Sequence, residues 1–157
     1  MTQLTKNPSF ESINVGDKLP PFEIGETQET MDAPQLHTRI PEVTGMKPKE
    51  ERKNLHNDLD FAKKSLFGTT ANAGVMTTAY VNQMIEACFP AESFYNGGTL
   101  TYKGINPFRD GDVVVFTGEV VDKRTENGKN FVDFAIKGID KTGRLIGVAE
   151  VTIAPDA

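Results

Sequence analysis

The stretch from Ala71 to Phe89, ANAGVMTTAYVNQMIEACF, constrains the fold more than any other part of the sequence. It carries no charge before Glu86, and its apolar residues recur at spacings of three and four, as on one face of a helix. Val81 and Met84 widen the apolar stripe to most of the helix circumference. Such a helix is poorly suited to contact with water, so we expect the rest of the chain to surround it.

Two residues mark the ends of this helix. Gly74, near its beginning, allows another group to approach the backbone closely, and Pro90 stops the helix after Phe89. The first turn of a helix leaves N–H groups without helical partners, and these groups carry about half a positive charge. The beginning of this helix is therefore a candidate site for an oxygen anion.

Length and composition indicate one folded domain. The 157 residues, 38% hydrophobic and 25% charged, are enough to bury a single core. We predict a flexible N-terminal segment over residues 1–14, which lacks hydrophobic periodicity, and a single domain over residues 15–157. The sequence contains no run of eighteen apolar residues and no leader-like beginning, so we expect a cytoplasmic protein.

Charge and reactive side chains exclude several functions. A net charge of −5 gives no electrostatic basis for binding nucleic acid, and no basic amphipathic segment suggests a membrane surface. The only cysteine, Cys88, excludes a disulfide framework and is expected to be a small core residue. One cysteine and two histidines, His37 and His56, are too few for a zinc site built from such residues, so we predict no metal site. We also predict no cofactor. The expected partners are small molecules or protein subunits.

The remaining chain predicts strands and two short helices. We expect one short edge strand before the central helix and four strands after it, joined mostly by hairpins. The predicted strands are Phe22–Ile24, the segment around Leu100 and Tyr102, Val113–Val121, Phe131–Asp140 and Leu145–Ala154, with hairpin turns at Asn127-Gly128 and Lys141-Thr142-Gly143. One short helix is predicted to follow its cap Asp32 and to run through Gln35 to about Val43, with an interruption at Pro41. A second is predicted over Leu59–Ser65, capped by Asn57 or Asp58.

An antiparallel sheet of about five strands wrapped around one long central helix is the α+β architecture called the hotdog fold. The order of the predicted elements favours this fold. An α+β layer fold built from the same elements is the alternative.

The stretch Glu51–Ser65 is the most informative part of the sequence for chemistry, and it contains His56. His56 precedes Gly74 by 18 residues, so the fold could bring it to the amino end of the central helix. A single histidine is more often a structural residue than a catalytic one. Glu51 lies in the charged run from Lys47 to Lys53, which considered alone is typical of a solvated loop.

A local sequence pattern favours a catalytic role for His56 and Glu51 over a structural one. The sequence Asn54-Leu55-His56-Asn57-Asp58, followed by Phe61-Ala62 and Ala73-Gly74-Val75-Met76, resembles the MaoC-like dehydratases and (R)-specific enoyl-CoA hydratases. Their motif reads D-x-N-P-[IL]-H-x-D-x-x-x-A and is followed by H-G-M at the head of the hotdog helix. The segment Pro107–Asp112 is similar to the proline and Gly-Asp that open a strand in that family.

The chain also departs from the family pattern. Lys53-Asn54 stands where the family has Asn-Pro, and Ala73 stands where it has histidine. The acidic position, five residues before the histidine, is occupied by Glu51.

The resemblance implies hydration of a trans-2-enoyl thioester, or dehydration of the 3-hydroxyacyl thioester, with acyl-CoA more suitable than an acyl-carrier protein. His56 and Glu51 would then hold one water against C3 and exchange a proton at C2. The Gly74 N–H would stabilise the enolate oxygen. Asn82, two turns further along the helix, would orient the water or His56. It could instead be a buried amide satisfied by the backbone.

Two other functions remain open. An acyl-CoA thioesterase would need a carboxylate on the central helix, which offers only Glu86 near its far end. A non-catalytic hotdog subunit would fit the departures from the motif but not the presence of His56. For every function we predict a homodimer or higher homo-oligomer with the acyl chain between subunits, because five short strands cannot cover so apolar a helix.

Overall fold

The computed structural model describes residues 1–32 and 53–156 of the chain. The chain divides into two compact units. The first comprises Met1–Ile24, Gly74–Asn106 and Val113–Ala157, and the second comprises Gly25–Ala73 and Pro107–Asp112. The single domain predicted over residues 15–157 stays a prediction.

Three helices and five strands lie in the described residues. In chain order they are β1 (Phe22–Gly25), α1 (Gln28–Met31), α2 (Leu59–Lys63), α3 (Gly74–Glu86), β2 (Thr99–Gly104), β3 (Val113–Glu126), β4 (Lys129–Asp140) and β5 (Leu145–Ile153). Short 3-10 helices cover Phe10–Ser12 and Ala91–Phe94. No helix in the described ranges combines the length and hydrophobicity that a membrane crossing requires.

The strands form one sheet in the order β1-β3-β4-β5-β2. The pairs β3–β4, β4–β5 and β2–β5 are antiparallel. Asn127 and Gly128 join β3 to β4 with φ angles of 51° and 76°, the left-handed conformation that a two-residue type I′ hairpin needs. The predicted five-stranded antiparallel sheet and this hairpin turn are confirmed.

One face of the sheet supplies the core through alternate residues. Val132, Phe134 and Ile136 of β4 are at most 2% exposed, as a strand with period two predicts. Phe134 meets Phe89 edge to face, with ring centroids 5.6 Å apart, an arrangement that the ring quadrupoles favour. The core of the first unit is therefore formed by the sheet together with the segment that follows α3.

The sheet covers one side of α3. Met76, Thr77, Val81, Met84 and Ile85 are buried on this side.

The other side of α3 is open to solvent in the single chain. Val75 is 69% exposed, and Ala79, Gln83 and Glu86 are also exposed. The enclosure predicted from the sequence is therefore one-sided, because polar side chains interrupt the apolar residues on the outer face.

Two residues of the segment 1–14 are buried, while most of the others are exposed, and the flexibility predicted for this segment stays a prediction. Leu4 and Ile13 are 6% and 0% exposed. The Leu4 N–H donates to the Lys18 carbonyl at 2.8 Å, and the Asn7 N–H donates to the Cys88 carbonyl at 2.7 Å. Two apolar residues nine positions apart show no periodicity, yet each fills a buried position, which explains why sequence reasoning missed this packing.

The short helices are only partly as predicted. Helix α2 begins after Asp58, whose carboxylate accepts the Phe61 N–H at 2.8 Å, so the predicted cap is confirmed. Helix α1 was not predicted, and Asp32, the proposed N-cap of a later helix, is its C-cap. The predicted helix Gln35–Val43 lies outside the described residues.

The turn between β4 and β5 is organised by a buried carboxylate. Asp140, 7% exposed, accepts hydrogen bonds from the backbone and hydroxyl of Thr142 at 2.9 and 2.7 Å and from the backbone and Nε of Arg144 at 2.9 Å each. Burial by itself would raise the pKa of Asp140, but these hydrogen bonds outweigh it and hold the pKa well below 3.8. The ionised form of Asp140 is therefore tied to the folded state.

We expect Asp140→Asn to lower the free energy of unfolding by about 2 kcal/mol at about pH 7, because an amide loses the charge-assisted contact with Arg144. A carboxylate with a depressed folded pKa stabilises fully above its unfolded pKa, and this contribution is lost as the pH falls towards the folded pKa. The difference between variant and native chain should therefore be smaller at about pH 3, measured by urea unfolding.

The matched control is Asp122→Asn. Asp122 lies 3.6 Å from Arg124, but its side chain is 57% exposed, so the change should be within about 0.5 kcal/mol. If Asp140→Asn lowers the free energy of unfolding by the same amount at both pH values, the stabilisation does not depend on the ionised form of Asp140 and the prediction is wrong.

Candidate functional site

His56 lies in a turn of the second unit and is half-buried. The turn is held by two asparagines: the Asn54 side chain accepts the His56 N–H at 2.8 Å, and the Asn57 side chain accepts the Asn54 N–H at 2.9 Å. Short polar side chains that bond to the nearby backbone are typical of such turns. The Gln28 side chain donates to the His56 carbonyl at 2.7 Å, which ties the turn to α1.

The imidazole of His56 is oriented by a backbone carbonyl. Its Nδ1 atom lies 2.7 Å from the Ala71 carbonyl oxygen. A carbonyl can only accept, so Nδ1 carries the proton, and in the neutral ring the lone pair lies on Nε2. This tautomer makes Nε2 a proton acceptor, which is what a general base requires.

The chain around Ala71 is itself held by several hydrogen bonds. The Ala71 N–H donates to the Leu55 carbonyl at 3.2 Å, and the Asn72 N–H donates to the Phe108 carbonyl at 2.8 Å. The Asn72 side-chain amide donates to a carboxylate oxygen of Glu26 at 2.9 Å. The carbonyl that orients His56 therefore belongs to a segment with little freedom to rotate.

Gly74 is the first residue of α3, in the first unit, and is exposed. A Cβ built on it meets no atom of the described residues within 4 Å. Ala73, immediately before it, has no side-chain oxygen with which to cap the first turn. Packing among the described residues therefore does not require glycine at position 74.

Asn82 lies in the middle of α3 and is half-buried. Its side-chain nitrogen donates to the Glu86 carboxylate at 2.6 Å. This contact joins two side chains one turn apart on the helix and differs from the backbone-satisfied amide that was the alternative. The predicted role of Asn82 in binding stays a prediction.

Two parts of the predicted site are not tested by this geometry. Glu51, the predicted acid partner of His56, lies outside the described residues, as does His37. His56 and Gly74 belong to different units, so their predicted proximity stays a prediction.

Cys88 is 1% exposed, and burial raises the pKa of its thiol. The prediction that it is a core residue is confirmed. Within residues 1–32 and 53–156, no group of three or more His, Cys, Asp or Glu side chains is arranged to hold a metal ion.

Comparisons identify the fold. No protein-family model and no curated protein matches the sequence. Among solved structures, R-hydratase PhaJ1 from Pseudomonas aeruginosa is 20% identical with a TM-score of 0.68, over 96% of this chain and 86% of that one. A MaoC-like dehydratase from Rhodospirillum rubrum is 18% identical with a TM-score of 0.66, over 92% and 94%.

A third similar structure is the ChsH1-ChsH2 complex from Mycobacterium tuberculosis, with 17% identity and a TM-score of 0.67 over 90% of this chain and 97% of the matched one. At these identities the likeness establishes the architecture. The predicted α+β hotdog fold is confirmed, and the fold is that of the suspected MaoC-like dehydratases and (R)-hydratases.

Proposed function

We propose that the chain is a MaoC-like hydro-lyase. It adds water to a trans-2-enoyl thioester, or removes water from the 3-hydroxyacyl thioester, and the thioester is CoA-linked. The observation that carries the proposal is the orientation of His56, whose Nδ1 contact with the Ala71 carbonyl leaves the lone pair of the neutral ring on Nε2. The motif around His56 and the fold shared with solved hydratases support it.

The chemistry is a balanced addition of one water. His56 and Glu51 hold the water against C3, and the His56 Nε2 takes a proton as the oxygen bonds to C3. The electron pair of the C2–C3 double bond moves to the thioester oxygen as an enolate. When the carbonyl re-forms, C2 takes a proton from the Glu51 carboxyl group. Transfer of the proton that His56 took from the water to the Glu51 carboxylate restores both side chains, so the sum of the steps is addition of one H₂O.

The beginning of α3 supplies the stabilisation of the enolate. The Gly74 N–H belongs to the first turn, whose donors have no partner within the helix itself, and it carries part of the positive end of the helix dipole. A fixed donor aimed at a developing oxygen anion is worth more than a water molecule, because it needs no reorganisation. In the sequence, Gly74 follows Ala71 by only three residues.

Asn82 completes the proposed site. The side-chain N–H of Asn82 donates a hydrogen bond to Glu86. The side-chain carbonyl oxygen of Asn82 is then the atom that would accept a hydrogen bond from the water or from His56.

An acyl-CoA thioesterase is the second candidate. It would direct water at the thioester carbonyl from a carboxylate on the helix. Glu86 is the last residue of α3, and its carboxylate is already bonded to Asn82. The non-catalytic subunit is the third candidate, and the replacement of Asn-Pro by Lys53-Asn54 favours it. A cytoplasmic location is part of the proposal.

We expect the purified chain to hydrate crotonyl-CoA, seen as loss of the enoyl-thioester absorbance. His56→Ala and Glu51→Gln should each lower kcat/KM by about 100-fold or more, since each removes a proton-transfer group. His37→Ala, the change at the other histidine, is the matched control and should keep full activity. Hydration that both site variants leave untouched would refute the site assignment.

The same assay separates the alternatives. A thioesterase would release free CoA thiol, detected with a thiol reagent, against a low background because Cys88 is buried. A non-catalytic subunit would give neither signal.

Gly74→Ala should separate stability from activity. The added methyl meets no described atom within 4 Å, so the melting temperature should stay within about 2 °C. It would occupy the space needed by the thioester oxygen, so kcat/KM should fall by at least about tenfold. Unchanged activity in this variant would contradict the role given to the Gly74 N–H.

We expect a homodimer, with the acyl chain between subunits. The exposed apolar residues Val75 and Ala79 in the first half of α3 support this proposal. Ala79→Glu should raise the dimer dissociation constant by at least about tenfold, measured by sedimentation equilibrium at micromolar concentration. Ala91→Glu, at another exposed alanine, is the control, and a native monomer under these conditions would refute the dimer.

A further inference from the structure

We propose that Glu26 is a positioning residue for His56. It acts through Asn72 on the peptide group whose carbonyl orients the imidazole. This inference rests on the hydro-lyase function proposed above, because it assigns Glu26 a part in presenting the general base of that reaction. Sequence reasoning gave Glu26 no role.

Glu26 is a buried carboxylate in a polar environment. The residue is 1% exposed. One carboxylate oxygen accepts the Asn72 side-chain amide at 2.9 Å, and the other accepts the Thr30 hydroxyl. Burial of a carboxyl group is costly unless hydrogen bonds compensate, so these contacts offset the cost of burying the Glu26 side chain.

The backbone of Glu26 is also fixed. Its N–H donates to the Asp112 carbonyl at 2.9 Å, and its own carbonyl accepts the Gly111 N–H at 2.9 Å. Because both backbone groups of Glu26 are hydrogen-bonded, the position of its Cα atom, from which the side chain extends, is fixed. Glu26 can therefore hold the Asn72 side chain in one position.

Asn72 transmits this position to the histidine through a single peptide group. The Ala71 carbonyl and the Asn72 N–H belong to the same planar unit. At one end of this plane the carbonyl meets the His56 Nδ1 at 2.7 Å, and at the other end the N–H meets the Phe108 carbonyl at 2.8 Å. Rotation of the plane would break both contacts, and the Glu26–Asn72 bond opposes that rotation.

The same segment also holds the backbone of the histidine. Gln28, two residues after Glu26, donates its side-chain amide to the His56 carbonyl at 2.7 Å. The Gln28 N–H is in turn held by the Asp110 carboxylate at 2.9 Å. The ring and the backbone of His56 are thus both positioned from residues 26–28.

The first measurement is the ring tautomer of His56. Nitrogen-15 NMR at about pH 8, where an ordinary imidazole is neutral, reports the fraction with the proton on Nδ1. The chain has two histidines, so a His37→Gln background leaves His56 as the only signal. We expect mainly the Nδ1–H tautomer in the native chain and a clear loss of it in Glu26→Ala and Asn72→Asp.

The second measurement is the hydration of crotonyl-CoA. Glu26→Ala and Asn72→Asp should lower kcat by about 10- to 100-fold with KM nearly unchanged, because the base is misplaced while substrate contacts remain. Glu26→Gln keeps an oxygen for the Asn72 amide and should stay within about threefold of native. The double variant Glu26→Gln with Asn72→Asp reverses donor and acceptor, and it should restore both tautomer and kcat.

Glu29→Gln, at an exposed glutamate of α1, is the matched control and should change neither readout. If Glu26→Ala does not fold, Asn72→Asp and the double variant decide the question. Folded variants with a native tautomer fraction would overturn the positioning role even if the native chain is a hydratase. A native chain without hydratase activity, whose tautomer still responds as expected, would overturn the proposed function and leave the positioning role standing.

Discussion

Burial of one face of α3 against the sheet is the interaction on which the first unit depends. Gly118 of β3 leaves room for neighbouring side chains of this core. A Cβ at Gly118 would lie 2.8 Å from Leu19 and 3.0 Å from Ile136, too close for a methyl group, and 3.5 Å from Met84 of α3, an ordinary van der Waals contact. Close packing of these side chains gives dispersion contacts that a wider spacing would lose.

A row of glycines across three strands extends this arrangement. Gly104 pairs with Gly147, and Gly147 pairs with Gly138. A Cβ at Gly147 would lie 2.2 Å from the Tyr102 hydroxyl, so the phenol ring occupies the space that a side chain would take. Tyr102 bonds to Thr77 of α3, and burial raises the pKa of its hydroxyl. The sheet and the helix are thus joined by polar as well as apolar contacts.

In the second unit the organising contacts are hydrogen bonds. A carbonyl partner at Nδ1 determines the tautomer of His56 without placing a charge on that side of the ring. The Ala71 carbonyl can hold the imidazole only while its own peptide group is fixed. That peptide group is held by the Phe108 carbonyl, which accepts the Asn72 N–H, and by Glu26, which accepts the Asn72 side-chain amide. The asparagines of the turn, Asn54 among them, belong to the same network.

The sequence by itself determined the strands, the hairpin at Asn127-Gly128, the cap at Asp58 and the central helix, because each has a local pattern with a period or a turn residue. It singled out His56 through its motif, and the structure describes the contacts of that side chain but not those of Glu51. Only the tertiary structure decided that Leu4 is buried, that one side of α3 is open, and that Glu26 lies beside Asn72. These features depend on residues distant in the chain, and hydrogen bonds between such residues have no periodicity that a sequence can display.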